Sequence, residues 1–392
     1  MLLNVPSTAM MALCIGLLLP THSRAVDDKK VAVETIVTQT VQPLMEREGI
    51  PGMAVGIVSG GQRYIFNYGT ASRASGKPVN DGTLFEIGSV SKTFTATLAA
   101  YAQVGGQLSL SDSVSKYLPV LLGSRFDEVS LLNLGTHTPG GLPLQVPEEV
   151  TNDDQLMQYF RNWKPAYAPG TYRTYANPSI GLLGRIAAMS LNEGFAALME
   201  GKLYPALGLR NTYLNVPASR LDNYAEGYTA KDAPIRMTPG VLAAETYGVR
   251  TTAGDLLRFV EANMGMLALD EKWQRAIADT HTGYYRVGGM TQDLIWEQYP
   301  YPVELKTLVA GNSDDVILKP NPTIKLDPPS PPQESVLINK TGTTNGFSTY
   351  VAFVPARKLG IVLLANKRYP IEARVVCAHQ ILTRLDDLAA SK

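Results

Sequence analysis

Two pairs of apolar, strand-like segments near opposite ends of the chain constrain the fold more than any other feature. The first pair, residues 53–58 and 64–68, surrounds a Ser-Gly-Gly-Gln turn, and the second, 347–354 and 359–365, surrounds Pro-Ala-Arg-Lys. Apolar residues at helical spacing precede the first pair and follow the second. The sequence therefore predicts an α+β protein: one antiparallel sheet built from both chain ends, flanked by terminal helices, with a mostly helical domain inserted between them.

The length and charge of the chain set its general class. At 392 residues it exceeds the usual single-domain size. We predict one catalytic unit over residues 26–392, with its α/β part at about 26–85 and 310–392 and its helical part at about 86–309. Because 35 basic residues balance 35 acidic ones, neither nucleic acid nor an anionic membrane surface is an expected partner.

The N-terminus predicts an export signal. Residues 9–20 form an apolar run too short to span a bilayer, and Ser23 and Ala25 are small residues at the −3 and −1 positions of a cut after Ala25. The first seven residues lack Lys and Arg, so the alternative is an uncleaved buried helix. We expect a periplasmic protein without a stable membrane anchor. Removal of Cys14 would leave only Cys377, in a packed helix, so no intrachain disulfide is expected.

The spacing of the histidines and the absence of familiar catalytic and cofactor motifs disfavour several classes of enzyme. The four histidines are scattered, without His-x-His or His-Glu-x-x-His spacing, which disfavours a zinc hydrolase. The sequence has no Gly-x-Ser-x-Gly, no P-loop and no dinucleotide-binding fingerprint. We therefore predict neither a metal nor a cofactor.

The tetrapeptide Ser-Val-Ser-Lys occurs twice, and only the first copy, at residues 89–92, opens a helical pattern. That pattern continues to Gly105-Gly106, which places Ser89 in the first turn of the predicted helix. Lys92 then lies on the same face, so its ammonium can reach the Ser89 hydroxyl. The helix N-terminus carries about half a positive charge, which favours the alkoxide and lowers the lysine pKa. The second copy, at 113–116, is followed by a proline and predicts a solvated turn.

A second short motif, Tyr175-Ala-Asn177, supplies a phenol. A phenol with a pKa near 10 is a poor base at neutral pH, but between two ammonium groups its phenolate becomes accessible. It could then take the Ser89 proton, and such general-base help is worth about 10²–10⁴ in rate. The alternative is a buried structural tyrosine, since Tyr213-Leu-Asn215 shows that the pattern also arises by chance.

The third motif, Lys340-Thr341-Gly342, precedes a predicted strand. Its lysine adds positive charge for an anionic substrate, and we expect its glycine to let a substrate backbone approach the strand. A backbone N–H beyond the glycine could join that of Ser89 in an oxyanion hole, where each donor is worth roughly 3–4 kcal/mol. The near copy His281-Thr-Gly lacks a long apolar strand after it and is the weaker candidate.

In this order and context the motifs resemble those of the class C (AmpC-type) serine β-lactamases, within the serine β-lactamase and penicillin-binding protein superfamily. The resemblance covers essentially the whole chain. It rests on the strings FEIGSVSKTFTATL from residue 85, GGLPLQVP from 140, YANPSIG from 175, ETYGV from 245, NKTG from 339 and YVAFVP from 350.

The resemblance implies a role for each matching residue. Ser89 would attack the lactam carbonyl while Lys92 and Tyr175 manage its proton, and Tyr175, held by Lys92 and Lys340, would activate or orient the deacylating water. The backbone N–H groups of Ser89 and Thr343 would bind the oxyanion. The implied substrate-binding residues are Gln145 and Asn177 for the acyl amide, Thr341 and Arg374 near the substrate carboxylate, Gly342 and Thr343 on the strand edge, and Tyr247 beside the acyl side chain.

A few positions depart from the family pattern. The usual Lys-Thr-Gly-Ser ends in Thr343, and Thr-His-Thr-Pro-Gly from residue 136 replaces Thr-Tyr-Thr-Ala-Gly. Asp293 and Ile295 stand where glycines are usual, and Ile371 stands where asparagine is common. These departures bear on substrate preference and efficiency, because none alters the nucleophile, the lysines or the phenol.

The function predicted from the resemblance is that of an exported, monomeric serine β-lactamase acting on cephalosporins and penicillins. A D,D-peptidase shares the fold and the acylation chemistry and differs in its deacylation speed. A Ser-x-x-Lys esterase is a further alternative. A catalytically inactive penicillin-binding sensor would have lost a catalytic residue, and all of them are present.

Overall fold

The computed structural model describes residues 21–390, with side chains from residue 28 onward. Residues 1–20 of the predicted export signal, which include Cys14, lie outside the described residues. Within the described part of the chain, no helix combines the length and the apolar character needed to cross a membrane.

The strands of the described residues are mostly short. In chain order they are β1 (Gly52–Ser59), β2 (Gln62–Gly69), β3 (Phe85–Glu86), β4 (Tyr172–Arg173), β5 (Thr212–Tyr213), β6 (Gly227–Tyr228), β7 (Pro234–Ile235), β8 (Arg250–Thr251), β9 (Gly283–Val287), β10 (Met290–Gln292), β11 (Glu297–Pro300), β12 (Asn321–Pro322), β13 (Ile324–Ser330), β14 (Val336–Thr343), β15 (Ser348–Val354) and β16 (Leu359–Ala365). Nine of them form one antiparallel sheet in the order β13-β9-β10-β11-β14-β15-β16-β1-β2.

The helices of the described residues surround and interrupt that sheet. They are α1 (Thr21–Glu48), α2 (Ser91–Val104), α3 (Val114–Tyr117), α4 (Leu131–Gly135), α5 (Asp153–Asn162), α6 (Asn177–Ser190), α7 (Phe195–Leu198), α8 (Tyr204–Leu207), α9 (Ala243–Thr246), α10 (Ala253–Asn263), α11 (Glu271–Asp279), α12 (Leu305–Gly311), α13 (Asp314–Leu318) and α14 (Ile371–Ala390).

The predicted joining of the two chain ends is confirmed. Strands β1 and β2 form one hairpin, β15 and β16 form the other, and β1 pairs with β16 from Met53 opposite Ala365 to Ser59 opposite Leu359. Every residue of β1 is buried because both faces of the sheet are covered. Val55 and Ile57 pack in the core shared with α1 and α14, whereas Ala54 and Val58 pack in the core shared with α10.

The sheet extends further into the middle of the sequence than predicted. Strands β9, β10 and β11 occupy 283–300, which the sequence analysis assigned to the helical part, and they lie between β13 and β14 in the sheet. They span only three to five residues each and bury polar side chains such as Gln292, Glu297 and Gln298. Such short strands lack the long apolar alternation that marked the two hairpins.

The composition of the proline-rich stretch 311–333 predicts neither helix nor good strand, and it leaves a connector and a loop at the rim of the site as equal alternatives. The structure differs from this expectation. Helix α13 fits before the first proline, and β13 carries Pro328 and Pro329 at the outer edge of the sheet. An edge strand tolerates proline because one side of its backbone has no ladder partner. The predicted site rim is present only upstream of the prolines, where residues such as Asn312 and Ile317 line the large cavity described below.

Candidate active site

The main cavity of the described structure lies between the edge of β14 and the helical part, and its volume is about 960 Å³. Eight of the eleven predicted site residues line it: Ser89, Gln145, Tyr175, Asn177, Tyr247, Thr341, Thr343 and Arg374. The other three, Lys92, Lys340 and Gly342, are buried beside it. Residues scattered over nearly 300 positions of sequence are therefore brought to one place.

Ser89 lies in a short 3₁₀ turn, Gly88–Val90, that leads directly into α2. Lys92 lies in the first turn of α2, where its Nζ donates to Ser89 Oγ at 2.8 Å and to the Thr246 carbonyl oxygen at 3.0 Å. Burial, with a smaller contribution from the Lys340 charge, lowers the pKa of Lys92 to about 8. A sizeable fraction of the lysine is then neutral near pH 8 and able to accept the serine proton.

Tyr175 lies between β4 and α6, and only 5% of its surface is exposed. The Nζ atoms of Lys340 and Lys92 lie 5.0 and 5.3 Å from its ring centroid, and the guanidinium carbon of Arg173 lies at 5.4 Å. Burial by itself raises the pKa of Tyr175, but the charges of Lys340 and Lys92 outweigh it and bring the pKa down to about 8. Both ammonium groups therefore lie close to the Tyr175 ring, whereas its hydroxyl oxygen has no hydrogen-bond partner among the described residues.

Lys340 projects from β14 and is 2% exposed. Its Nζ lies 3.6 Å from Glu297 Oε1, and the same carboxylate oxygen accepts a hydrogen bond from Arg173 at 2.8 Å. Arg173 also donates to Gln292 Oε1 at 2.6 Å. The buried cations behind Tyr175 are thus held in place by one carboxylate and one amide, as buried charges require.

The sequence did not predict the residues that support the two cations, which are Gln292 and Glu297, or the role of Arg173 itself. Arg173 is only two positions before Tyr175, so a search around the phenol could have found it. Nothing in the sequence signals that Glu297 and Gln292, more than a hundred residues later, meet it. The pairing arises because β11 lies next to β14 in the sheet, with Glu297 opposite Asn339.

Two glycines bring the turn Gly88–Val90, which carries the predicted nucleophile Ser89, against β14. Gly88 has φ +51°, and a Cβ added to it would lie 2.5 Å from the Thr343 nitrogen. A Cβ added to Gly342 would overlap the Ile87 carbonyl oxygen. Gly342 therefore admits the protein's own turn, and the close approach of a substrate backbone to this strand stays a prediction. The contact of the turn with β14 also sets the backbone of Ser89 next to that of Thr343, the two residues predicted to donate oxyanion hydrogen bonds.

Arg374 is completely buried, and its guanidinium is bound by the protein itself. It donates to the carbonyl oxygens of Gly342, Thr349 and Tyr369 and to Thr343 Oγ1 at 3.1 Å. These bonds fix the end of β14 from behind. Arg374 nevertheless contributes to the cavity lining, together with Thr341 and Thr343, and its place near a substrate carboxylate stays a prediction.

The remaining predicted residues lie on the opposite wall. Asn177 is the first residue of α6 and is mostly buried, with no hydrogen-bond partner for its Oδ1. Its N–H donates to the Leu144 carbonyl oxygen at 2.9 Å, which ties it to the loop that carries the exposed Gln145. Tyr247 directly follows α9 and is half-buried. The side-chain amides of Asn177 and Gln145 thus line the cavity from the same side.

The second Ser-Val-Ser-Lys motif lies away from the cavity. It forms the short helix α3, with Ser115 buried, so the predicted solvated turn is correct only for Lys116. Lys116 is exposed and pairs with Asp112 at 2.8 Å. His281, in the near copy of Lys-Thr-Gly, is buried and bound to Asn263 at 3.0 Å. Among the described residues, no three His, Cys, Asp or Glu side chains are grouped so as to hold a metal ion.

Two of the unusual residues occupy demanding positions in the turn between β10 and β11. Ile295 has φ +70°, a conformation that favours glycine and strains a β-branched side chain. Asp293 is completely buried, and neither of its carboxyl oxygens has a hydrogen-bond partner. Burial, reinforced by the charge of Glu297, raises the pKa of Asp293 well above its usual value.

Comparison with known proteins gives one consistent result. The Beta-lactamase family profile matches residues 37–385. A beta-lactamase of Lysobacter lactamgenus is 54% identical over 359 residues, which cover 91% of this chain and 93% of that protein. The crystal structure of D-alanine carboxypeptidase AmpC from Burkholderia cenocepacia superimposes with a TM-score of 0.87 at 55% identity, over 91% of this chain and 99% of that one. A class C beta-lactamase in complex with cefoxitin superimposes with a TM-score of 0.89 at 52% identity, over 91% and 99%.

Proposed function

Because the chain belongs to the beta-lactamase family, in its class C branch, we propose that it hydrolyses the amide of β-lactams through an acyl-enzyme on Ser89. The observation that carries the proposal is the geometry around the nucleophile. Lys92 Nζ lies 2.8 Å from Ser89 Oγ, and the Nζ atoms of Lys340 and Lys92 lie 5.0 and 5.3 Å from the ring centroid of Tyr175, whose pKa is about 8.

In the acylation step, Ser89 Oγ attacks the lactam carbonyl carbon while its proton passes to neutral Lys92 or to the Tyr175 phenolate. The tetrahedral oxyanion receives hydrogen bonds from the backbone N–H groups of Ser89 and Thr343. Collapse of the intermediate breaks the C–N bond, and the ring nitrogen takes the proton that the base has just accepted. The product is an ester of Ser89, with the opened ring still attached.

In the deacylation step, water replaces the serine as the nucleophile. Tyr175 takes a proton from water as the water attacks the ester carbonyl, and the proton returns to Ser89 Oγ as that bond breaks. The two ammonium groups stabilise the phenolate while it holds the negative charge. All the groups this cycle needs belong to the protein, so the proposed reaction uses no metal and no cofactor.

Substrate recognition follows from the two walls of the cavity. Gln145 and Asn177 would bind the acyl amide, and Tyr247 would flank the acyl side chain. Thr341 and Thr343 would receive the substrate carboxylate in front of the buried charge of Arg374. One solved relative is described in complex with cefoxitin, which supports cephalosporins as substrates of this chain. Penicillins are included because they share the β-lactam amide.

The setting of the enzyme is part of the proposal. We infer a monomer of one catalytic unit, residues 26–392, released into the periplasm by cleavage about after Ala25. The apolar run at residues 9–20 and the small residues before Ala25 support export.

A second function, that of a D,D-peptidase, is favoured by one specific finding. One solved relative is described as a D-alanine carboxypeptidase, although it has an AmpC name. Such an enzyme would use the same serine on a peptide ending in D-alanine and would release β-lactams slowly. The Ser-x-x-Lys esterase remains the third alternative.

The deciding experiment is hydrolysis of nitrocefin by purified protein, followed by intact mass measurement after brief exposure to substrate. Many turnovers with a transient adduct that is absent from a Ser89→Ala variant support the β-lactamase. A stable adduct without turnover supports the peptidase. No adduct in the wild-type protein would overturn the acyl-enzyme proposal and leave the esterase.

A further inference from the structure

The imidazole of His137 lies directly against the phenol ring of Tyr175. The ring centroids are 4.4 Å apart and the ring planes are tilted by 42°. His137 is completely buried. It stands where a tyrosine is usual in the family pattern, so the imidazole at this place is a feature of the present chain.

His137 also holds the backbone on both sides of Tyr175. Its carbonyl oxygen accepts the N–H of Thr174 at 2.8 Å, and its Nδ1 accepts the N–H of Ala176 at 3.3 Å. A neutral imidazole whose Nδ1 accepts a hydrogen bond carries its proton on Nε2. The three contacts together fix the phenol in position and orientation.

The surroundings of His137 disfavour its protonated form. Burial, followed by the positive charges of Arg173, Lys92 and Lys340, lowers the pKa of His137 well below its usual value. These cations come from three elements, β4, α2 and β14, that surround the ring. The imidazole therefore stays neutral in the pH range in which Tyr175 and Lys92 titrate, and it adds no fourth positive charge.

The backbone of His137 is itself in an unusual conformation. Its φ is +58°, a left-handed value that non-glycine residues rarely adopt, although histidine and asparagine tolerate it better than most. The bonds to Thr174 and Ala176 hold the residue there. A strained residue kept in place by two bonds to the segment of a catalytic group is typical of a functional constraint.

From these contacts we propose that His137 is a positioning residue of Tyr175, which holds the phenol between the two catalytic ammonium groups and keeps water from its inner face. The inference deepens the proposed function and rests on it. His137 makes no contact with substrate in this role and acts only through Tyr175.

The test separates the two contacts of the imidazole. His137→Asn retains an acceptor for the Ala176 N–H and tolerates the left-handed backbone, but removes the ring. His137→Phe retains a ring and removes the acceptor. The matched control is His281→Phe, which replaces another buried histidine that is bound to Asn263 and lies away from Tyr175. For each protein we would measure kcat and KM per acylatable active site from pH 5 to 10, together with Tm.

We expect each His137 variant to lose roughly tenfold in kcat with little change in KM, the effect of one misplaced or orphaned hydrogen-bonding group. The bend of the pH profile near 8 should move upward, because water admitted to the phenol screens the two ammonium charges. His281→Phe should lower Tm and leave kcat per active site and the bend unchanged.

Two outcomes would overturn the proposal. In one, both His137 variants keep kcat within twofold and an unmoved bend, whatever their Tm. In the other, the control variant His281→Phe shifts the bend of the pH profile by as much as the His137 variants do. If His137→Phe fails to fold, His137→Asn alone decides. If the wild-type protein acylates without turnover, the proposed function fails separately, and the acylation rate replaces kcat as the measure of Tyr175 positioning.

Discussion

The contact between Gly88 and the backbone of Thr343 predicts the effect of a single added methyl group. In Gly88→Ala the new Cβ would lie 2.5 Å from the Thr343 nitrogen and 2.7 Å from its carbonyl carbon and oxygen. Carbon atoms normally approach such atoms no closer than about 3.0–3.4 Å. Because all three opposing atoms are backbone, none can rotate away, and the nucleophile turn must separate from β14 by roughly 0.5–0.9 Å.

This displacement acts on the residue after Gly88, the nucleophile itself. A misplacement of about 1 Å can cost on the order of 10²-fold in rate, so we expect kcat/KM to fall by roughly 30- to 100-fold. Stability should fall as well, by about 1–2 kcal/mol for an alanine at positive φ and a further 1–3 kcal/mol for overpacking.

A second glycine provides the control. Gly106, just after α2, has φ +74° and no atom within 4 Å of an added Cβ, so Gly106→Ala imposes the same backbone strain without the collision. Nitrocefin hydrolysis per active site and urea unfolding would be measured for both variants. A Gly88→Ala enzyme within threefold of Gly106→Ala in kcat/KM would refute the argument that this contact positions Ser89.

Further variants test the phenol, the buried carboxyl and the rejected motif. Tyr175→Phe should lower kcat by about 10²–10⁴ and leave the unfolding curve unchanged. It should also remove one of the two ionisations near pH 8 that the Lys92–Tyr175 pair gives the pH profile of the wild-type enzyme. Wild-type kinetics in this variant would exclude the phenolate as the base. The pKa of Asp293 is higher in the folded state than in the unfolded state, where it is about 4. The contribution of its protonated carboxyl to stability is therefore fully present below about pH 4. As pH rises from there to the folded-state pKa, the free energy of unfolding falls by about 1.4 kcal/mol per pH unit. Asp293→Asn should therefore gain stability over the wild type as pH rises, and parallel curves in urea unfolding from pH 4 to 8 would contradict this. Lys116→Ala should leave nitrocefin hydrolysis unchanged, and a large loss would show that the wrong Ser-Val-Ser-Lys motif was chosen.

The sequence was most informative where chemistry is local. The two hairpins, the helix after Ser89 and its end at Gly105-Gly106 were predictable, because each depends on neighbours in sequence. The Ser89–Lys92 hydrogen bond follows from helical spacing. Recognition of the family order then located Tyr175 and Lys340, which spacing alone could not bring together.

What sequence reasoning missed depends on contacts between distant segments. The partnership of Arg173 with Glu297 exists only because short, partly polar strands join the sheet. The hydrogen bonds from the guanidinium of Arg374 to backbone carbonyls behind β14 had no sequence signal either. The contact of His137 with Tyr175 likewise has no signature in composition or periodicity. In each case the side-chain type was visible, but its partner was decided by tertiary packing.

The pairing of β1 with β16 has a consequence for how the protein folds. Met53 opposes Ala365 in that ladder, so the first long strand must wait for a strand about 310 residues later in synthesis. Ser89 and Lys340 are likewise about 250 residues apart. A nascent chain that has not yet reached β14 has its nucleophile but neither the second ammonium group nor the strand edge beside it. Pairing of such distant segments slows folding, and activity should emerge only after the last strands are complete.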